Sequence, residues 1–178
     1  MLICLVLMTA SCVSKTEPAP FSPPVDLKSL LINQADLPIS WKISDIYTSK
    51  YNGITLCTDA CAFLEAQPDG MKHYILQNNI YAFRTSQAAR DMYDNLHLSI
   101  DAKDIVMNSG FHTERANQSD DQCYKGTHDP YAHCVWIAQY GPYLVELYSA
   151  MDPVGLTMSE YKQVLVQVDA KMKAVVQP

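Results

Sequence analysis

Cysteine and histidine side chains offer the most obvious chemistry in this sequence. The six cysteines are Cys4, Cys12, Cys57, Cys61, Cys123 and Cys134. The last four, together with His128 and His133, could supply the thiolate and imidazole ligands of a tetrahedral zinc site. Zinc modules, however, use two short ligand pairs, whereas the neighbours His133 and Cys134 diverge on a strand. We therefore expect no resident metal and no other cofactor.

Disulfide formation is the alternative chemistry for the same sulfurs. In an exported chain, four cysteines predict two disulfides, for which three connectivities exist. We favour Cys57 with Cys61 and Cys123 with Cys134. The i,i+4 spacing of the first pair would place the Cα atoms about 6 Å apart if TDACAFLEA formed a short helix. The second pair would close a polar loop of ten residues.

A second group of candidate residues lies in and beside the apolar segment YLVELYSA at 143–150. Glu146 is its only charge, and strand alternation places it on the same face as Leu144 and Tyr148. In a cleft, such a carboxylate could bind a cation or act as a base. On the outer face of an antiparallel sheet it would simply face water, which is the interpretation we favour.

Tyrosine is abundant, with eleven in the chain. A tyrosine combines an apolar ring with a polar tip, so Tyr140, Tyr143 and Tyr148 join Glu146 as a speculative ligand-binding set. Packing of half-exposed strands is the competing and more common role. The motifs GxGxxG, GxxxxGK[ST], HExxH and GxSxG are all absent, so we assign no catalytic residue.

The composition limits the class of protein. Hydrophobic residues make up 48% of the 178 residues and charged residues 18%, which predicts a folded chain with a real core. The 13 Lys and Arg against 19 Asp and Glu give a formal net charge of -6. Because this chain has no basic field to attract a phosphate backbone, we exclude nucleic acid as a partner.

The N-terminal segment predicts an exported, lipid-anchored protein. The uncharged apolar run Met1–Val13 is too short to span a bilayer, which needs about 20 residues. Small residues lead into Cys12, as in a bacterial lipobox, so residues 1–11 are interpreted as a signal peptide and Cys12 as the lipidated first residue. The alternatives are ordinary signal-peptidase cleavage and a cytosolic protein with an apolar start. Residues 12–25 are rich in proline and predict an extended tether. One domain is expected over 26–178, on the extracytoplasmic side of a bacterial membrane.

Periodicity and caps predict the elements of that domain. Helices are predicted over Asp26–Asp36, from Thr85 or Ser86 as N-cap to about Leu98, and over Thr157–Val175, the last with a Thr157–Glu160 capping box. Strands are predicted at Trp41–Tyr47 and at His73–Phe83, the latter either as one strand or as a hairpin about Asn78-Asn79. Cys134–Tyr140 and Tyr143–Ala150 flank Gly141-Pro142 as an antiparallel hairpin.

The stretch Ser99–Asp129 has little pattern, with short strands plausible only near Ile105 and Phe111. Asp120 and Asp121 lack the alternate spacing of a calcium loop, so a solvated loop is expected there. Strands grouped with helices, without repeated βαβ units, predict an α+β fold in which helices flank an antiparallel sheet stabilised by disulfides.

The chain resembles small bacterial lipoproteins related to the PknH-type extracellular sensor domain. The resemblance depends on the lipobox, ADLPISW at Ala35–Trp41, the strand-to-helix segment NNIYAFRTSQAARDMY at Asn78–Tyr93, and the terminal helix. It implies an antiparallel sheet flanked by helices, two disulfides and a cleft for an unidentified ligand. This sequence has Leu96 and His97 where such domains often have Trp and Cys, and we transfer no site residue.

These observations predict a lipid-anchored binding or sensing module whose partners are the membrane and an unknown small molecule or envelope protein. The first alternative is an envelope enzyme, hydrolase-like, that uses Glu146 with His128 or His133. The second is a metal-binding lipoprotein that uses the cysteines and histidines as thiolate and imidazole ligands, which disulfide formation would exclude.

Overall fold

Seven strands form one antiparallel sheet in the computed structural model, which describes residues 21–48, 57, 59–70, 75–97, 105–107, 109–125, 131–151 and 155–176. The sheet order is β1-β2-β3-β7-β6-β5-β4. The strands are β1 Trp41–Thr48, β2 Ala60–Pro68, β3 Leu76–Ala82, β4 Ile105–Met107, β5 Gln118–Lys125, β6 Ala132–Tyr140 and β7 Tyr143–Ala150. The helices are α1 Ser86–His97 and α2 Met158–Val176, preceded by 3-10 helices Leu27–Leu30 and Gln34–Asp36.

Two antiparallel meanders meet at the centre of this sheet. β1, β2 and β3 follow one another along the chain, as do β4, β5, β6 and β7, and the pairing of β3 with β7 joins the two sets. Asn79 lies opposite Glu146 in that pairing, although 67 residues separate them. The α+β prediction is thereby confirmed: the sheet is antiparallel and helices pack on it.

Each face of the sheet packs against a different helix. On the α2 face, Trp136, Leu147 and Ile80 pack with Tyr161 and Leu165 of α2 in the main core. On the α1 face, the second core cluster includes Phe63, Tyr81 and Leu144 with Ala89 and Tyr93 of α1. Since strand side chains alternate between faces, every strand residue belongs to one of these two environments.

The predicted hairpin and the terminal helix are confirmed. Tyr140 and Tyr143 form the last pair of β6 and β7, so Gly141-Pro142 is a two-residue loop, and Gly141 has the left-handed φ of 56° that glycine favours there. At α2, the Thr157 backbone amide donates to Glu160 Oε2 (2.9 Å) and the Glu160 amide donates to Thr157 Oγ1 (3.3 Å). This is the predicted capping box.

The segment around Cys61 is a strand, so the predicted short helix is wrong. β2 begins at Ala60, and its residues pack alternately on the two faces, with Ala62 and Leu64 in the α2-face core and Cys61 and Phe63 in the α1-face core. A continuous apolar run that is buried on both sides fits a central strand as well as a helix.

The predicted Asp26–Asp36 helix is replaced by two separate 3-10 helices. Asp26 caps the first, as expected from its position, by accepting from the Lys28 amide (3.1 Å). Asn33 then begins the second with a capping box that it shares with Asp36. The backbone is extended between them, at Leu31, because Leu31 and Ile32 are both buried against the core.

Two asparagines lie within a single strand rather than at a turn, which confirms the one-strand alternative for the segment before α1. Asn78 points to the α2 face, where its Oδ1 accepts from the Ile32 amide (3.0 Å). Asn79 points to the α1 face. Both residues are buried, and each of these bonds gives one atom of the buried side-chain amide a partner.

The stretch that lacked a clear pattern contains an eight-residue strand, β5, which the sequence did not predict. Asp120 and Asp121 lie in it, so the expectation of a solvated loop is wrong. Asp121 Oδ2 accepts from Ser109 Oγ (2.6 Å) and the Gly110 amide (3.1 Å). Burial raises the pKa of Asp121, while the hydrogen bonds from Ser109 and Gly110 act in the opposite direction.

The N-terminal end of the described chain also contacts the domain. Residues 21–25, the described part of the predicted tether, form neither helix nor strand, and Phe21 and Val25 pack partly against the α2-face core. The guanidinium carbon of Arg84 lies 5.6 Å from the centroid of the Phe21 ring. Within the residues that the structure describes, no helix has the length and apolarity required to cross a bilayer.

Candidate functional site

Polar side chains from three neighbouring strands converge on the α1 face of the sheet. They are Glu65 of β2, Gln77, Asn79 and Tyr81 of β3, and Glu146 of β7, and we call them the α1-face network. Strand register places them together, because Glu65 lies opposite Gln77 and Asn79 lies opposite Glu146. Polar residues at these inward-facing positions interrupt an otherwise apolar surface, so they require partners.

Glu146 is half-buried and is held by two neutral donors. Asn79 Nδ2 donates to Glu146 Oε2 (2.9 Å), and the Tyr81 hydroxyl donates to the same oxygen (3.2 Å). The other oxygen, Oε1, accepts no hydrogen bond from any residue that the structure describes. One carboxylate oxygen is therefore fixed in direction while the second keeps its capacity to bind.

Glu65 lies on β2, which is separated from β7 by β3, and its carboxylate is held in the same way. Gln77 Nε2 donates to Glu65 Oε1 (3.1 Å), as does the Tyr47 hydroxyl of β1 (3.3 Å). From the strand register, the Glu65 and Glu146 Cα atoms are about 12 Å apart, two strand spacings across and two residues along. The face thus presents two separate carboxylates, each oriented by an amide and a phenol.

Tyr81 remains protonated and serves as a donor. Burial raises its pKa well above the ordinary value of 10.0, and the negative charge of Glu146 together with the hydrogen bond to it raises the pKa further. A phenolate beside Glu146 would place two like charges in a poorly solvated position. The hydroxyl therefore keeps its proton at neutral pH and donates it to the carboxylate.

Aromatic rings flank Glu146 on both sides. On one side Tyr47 stacks on Phe63 at 5.3 Å between centroids, and Phe63 meets Tyr81 edge-on at 5.7 Å. On the other side His133 stacks on Tyr148 at 5.6 Å, and their polar atoms, His133 Nδ1 and Tyr148 Oη, are hydrogen-bonded at 2.7 Å. The carboxylate of Glu146 therefore lies between two groups of rings.

A further negative charge lies beside these two glutamates. Asp45 lies opposite Glu65 in the β1–β2 pairing and is exposed, which adds a third carboxylate to the same face. Among the described residues, neither glutamate forms an ion pair with Lys, Arg or His. The nearest lysine in the strand register, Lys42, is already paired with Asp69 (2.7 Å).

The four residues of the speculative ligand-binding set do not share one face. Glu146 and Tyr148 lie on the α1 face, but Tyr140 and Tyr143 are buried on the α2 face. The two-residue loop pairs Tyr140 with Tyr143, and β7 alternation then places residue 146 on the side opposite residue 143. The Tyr140 hydroxyl donates to Asp169 Oδ1 of α2 (2.6 Å), so Tyr140 joins the sheet to that helix inside the core.

Both preferred disulfides are confirmed. Cys57 bonds to Cys61 with a Cα–Cα distance of 5.8 Å, and Cys123 bonds to Cys134 with 4.0 Å. The second disulfide joins directly opposite residues of β5 and β6 and is fully buried. We call it the β5–β6 disulfide. Cys12, the expected lipidation site, lies outside the described residues, as does the rest of the predicted signal peptide.

The histidines do not join Glu146 or the cysteines in a site. His133 lies on β6 opposite Ala150, which is four residues beyond Glu146 on β7, so the Cα atoms of His133 and Glu146 are about 14 Å apart. His128 lies outside the described residues. All four cysteine sulfurs of the hypothetical zinc site are in disulfides, and the described part of the chain has no group of three or more metal-ligating side chains.

Sequence reasoning missed Glu65, Gln77, Asn79 and Tyr81. One signal was present, since Glu65 is the only charge in the apolar run ACAFLEA, just as Glu146 is the only charge in YLVELYSA. The expectation that Glu146 would simply face water also requires correction, because it is half-buried and hydrogen-bonded. Recognising the two glutamates as a pair required knowing that β3 lies between β2 and β7.

A recess elsewhere on the surface is a weaker candidate. It has a volume of about 810 Å³ and lies between residues 35–40 and the α2 side chains Glu160, Gln163 and Gln167. No aromatic ring lines it. We therefore place the candidate site on the α1 face, where carboxylates, amides and rings are arranged together.

Comparison with known proteins identifies a fold. Neither the protein-family models nor the curated proteins contain a match to this sequence. Among solved structures, the crystal structure of the extracellular domain of PknH from Mycobacterium tuberculosis is similar, with a TM-score of 0.51 and 13% sequence identity. The match covers 84% of this chain and 94% of that one. The two chains share a fold. At this identity the likeness concerns architecture and assigns no residue of the site.

Proposed function

We propose that this protein is a bacterial lipoprotein, anchored through Cys12, whose extracytoplasmic sensor-like domain binds a ligand on the α1 face. Three observations support the location. The lipobox predicts export and lipidation, the two disulfides suit an oxidising compartment, and the similar solved structure is described as an extracellular domain.

The observation that supports ligand binding is the α1-face network. A carboxylate in a half-buried position loses hydration, so it lowers stability relative to an apolar residue unless its contacts compensate. Here two such carboxylates are present, each held at one oxygen by neutral donors. Each carboxylate thus has one oxygen held in place and one oxygen available to a ligand, as polar groups in binding sites do.

Ligand binding is tested with the full chain, purified from the envelope in mild detergent and analysed by native mass spectrometry. We expect wild-type protein to retain a small molecule, and Glu146→Gln to lose it while remaining folded by circular dichroism. Glu114→Gln is the matched control, because Glu114 is an exposed residue outside the network and the substitution is identical. Equal ligand occupancy in all three proteins would contradict the proposal.

Anchoring is tested by Cys12→Ala. The variant should lose incorporation of radiolabelled palmitate and move from the membrane fraction to the soluble envelope fraction, because the thioether-linked diacylglycerol would be absent. Cys4→Ala is the control, since Cys4 precedes the predicted cleavage position and should not affect labelling. Membrane retention with unchanged labelling of Cys12→Ala would exclude a lipid anchor at this residue.

A further inference from the structure

The α1-face network also indicates which chemical class of ligand fits, and this inference rests on the proposed function. We propose that the ligand is a small organic cation, an alkylamine or polyamine, whose ammonium group binds Glu146 Oε1 between the flanking aromatic rings. The inference follows from hydrogen-bonding capacity, from charge and from the rings, in that order.

Hydrogen-bonding capacity favours a ligand that supplies donors. The phenol hydrogens of Tyr81 and Tyr47 are already committed to Glu146 and Glu65. What these carboxylates still present, at Oε1 of Glu146 and Oε2 of Glu65, is acceptor capacity only. An ammonium group has three donors and no acceptor, and so is complementary to such a surface.

Charge favours the same class. Glu146, Glu65 and Asp45 lie on one face without a described cationic partner, and the whole chain has a net charge of -6. An anionic ligand would meet like charge on a partly desolvated surface, whereas a cation would neutralise it. A neutral sugar could use the rings, but it would leave the buried portion of the negative charge uncompensated.

The aromatic rings provide the third element. Tyr81 lies beside Glu146 across the β3–β7 pairing, and Tyr148 is the next residue of β7 on the same face. A cation within about 6 Å of a ring centroid is attracted by the ring quadrupole, and the methylene groups of an alkylamine pack on the same rings. Carboxylate and rings together therefore hold both ends of such a molecule.

Isothermal titration calorimetry of the full chain in detergent micelles tests this. The probes are 1,4-diaminobutane, butylamine, the neutral isostere 1,4-butanediol, and maltose. We expect both amines to bind and the diol and the sugar not to bind. Glu146→Gln should weaken amine binding about 10- to 100-fold through loss of the charge-assisted bond, and Glu114→Gln should leave it unchanged.

Tyr148→Leu provides a second variant in which the carboxylate remains and one ring is lost. It should weaken butylamine binding several-fold, roughly the effect of a half-exposed cation–π contact, while Tyr148→Phe should not. Amines that fail to bind, or that bind Glu146→Gln and wild type equally, would overturn the inference. Binding of maltose that depends on Glu146 would overturn the cationic ligand and leave the proposed function intact. If no probe bound more tightly to wild type than to Glu146→Gln, both the cationic ligand and the proposed binding function would be refuted.

Discussion

Asp169 on α2 connects that helix to two other parts of the domain, and its removal is the perturbation with the clearest expected effect. Its Oδ1 accepts from Thr113 Oγ1 (2.6 Å) and from the Tyr140 hydroxyl (2.6 Å), while Oδ2 pairs with Arg115 (2.9 Å). Asp169, Thr113 and Tyr140 are all buried. The carboxylate therefore satisfies two buried hydroxyls at the sheet–helix interface.

The magnitude for Asp169→Ala follows from these contacts. Two buried hydroxyl donors lose their acceptor, at about 1–3 kcal/mol each. The ion pair adds little, no more than about 1 kcal/mol, because the Arg115 side chain is 42% exposed and water screens the charge. Allowing for partial rearrangement of the hydroxyls, we expect a loss of about 2–5 kcal/mol in the free energy of unfolding.

Asp169→Asn separates hydrogen bonding from charge. Its amide oxygen can still accept from both hydroxyls at the Oδ1 position, so only the charge and the Arg115 contact are lost, and the cost should be about 1–2 kcal/mol. Asp94→Ala is the surface control. Asp94 is exposed on α1, and this change should alter stability by less than about 0.5 kcal/mol.

Urea unfolding followed by far-UV circular dichroism, with the disulfides intact, measures all three variants. With a slope of about 2 kcal/mol per molar urea, Asp169→Ala should lower the midpoint by roughly 1–2.5 M at an unchanged slope. Two results would refute the reasoning. One is an Asp169→Ala midpoint within error of wild type, and the other is an Asn variant as unstable as the Ala variant, since the buried hydroxyls would then not be the cause.

Three further predictions concern the disulfides, the buried tyrosines and one glycine. Replacing both cysteines of the β5–β6 disulfide by Ser should cost about 3 kcal/mol in urea unfolding, against about 2 for the shorter Cys57–Cys61 loop, and the reverse order would contradict the loop-entropy argument. Burial raises the pKa of the core tyrosines Tyr81, Tyr140 and Tyr161 well above 10.0 and that of Tyr93 to about 12. Their stabilising contribution is therefore complete below pH 10 and is lost as the pH rises above it. The free energy of unfolding, measured by circular dichroism, should fall by roughly 1.4 kcal/mol per pH unit for each core tyrosine, and a flat profile from pH 10 to 11.5 would refute this. Gly155→Ala should lower Tm more than Gly110→Ala, because a Cβ at 155 collides with the Ala150 carbonyl, whereas a Cβ at 110 meets no atom within 4 Å and only the left-handed φ of 67° opposes it. Equal Tm values would show that the backbone at 155 moves away from Ala150 at little cost.

Features encoded by neighbouring residues were predictable. The β6–β7 hairpin, α1 and α2 follow from apolar periodicity with local caps and a Gly-Pro turn, signals that act over a few residues. The disulfide partners were also found, although for Cys57 and Cys61 the predicted helix was wrong and a strand beginning at Ala60 brings the sulfurs together instead. Spacing constrained the pairing more tightly than it constrained the secondary structure.

β5 shows why other elements were missed. Its residues QSDDQCYK are mostly polar, and their burial is intermediate except at Cys123, which is buried, and Lys125, which is exposed. Nothing local favours a strand there. Pairing with the apolar strand β6 along eight residues, together with the β5–β6 disulfide, stabilises the extended conformation.

The sequence by itself determined the fold class, the β6–β7 hairpin, α1 and α2, and the presence of a lone glutamate, Glu146, in an apolar strand. It favoured the cysteine pairs that form without excluding the other two connectivities. Only the tertiary structure decided which side chains Glu146 meets. Asn79 and Tyr81 reach it across the β3–β7 pairing, and Tyr140 and Tyr143, close to it along the chain, lie on the opposite face. The physical reason is that strand alternation is a local property, whereas the order of strands in a sheet depends on the burial of both faces by distant segments.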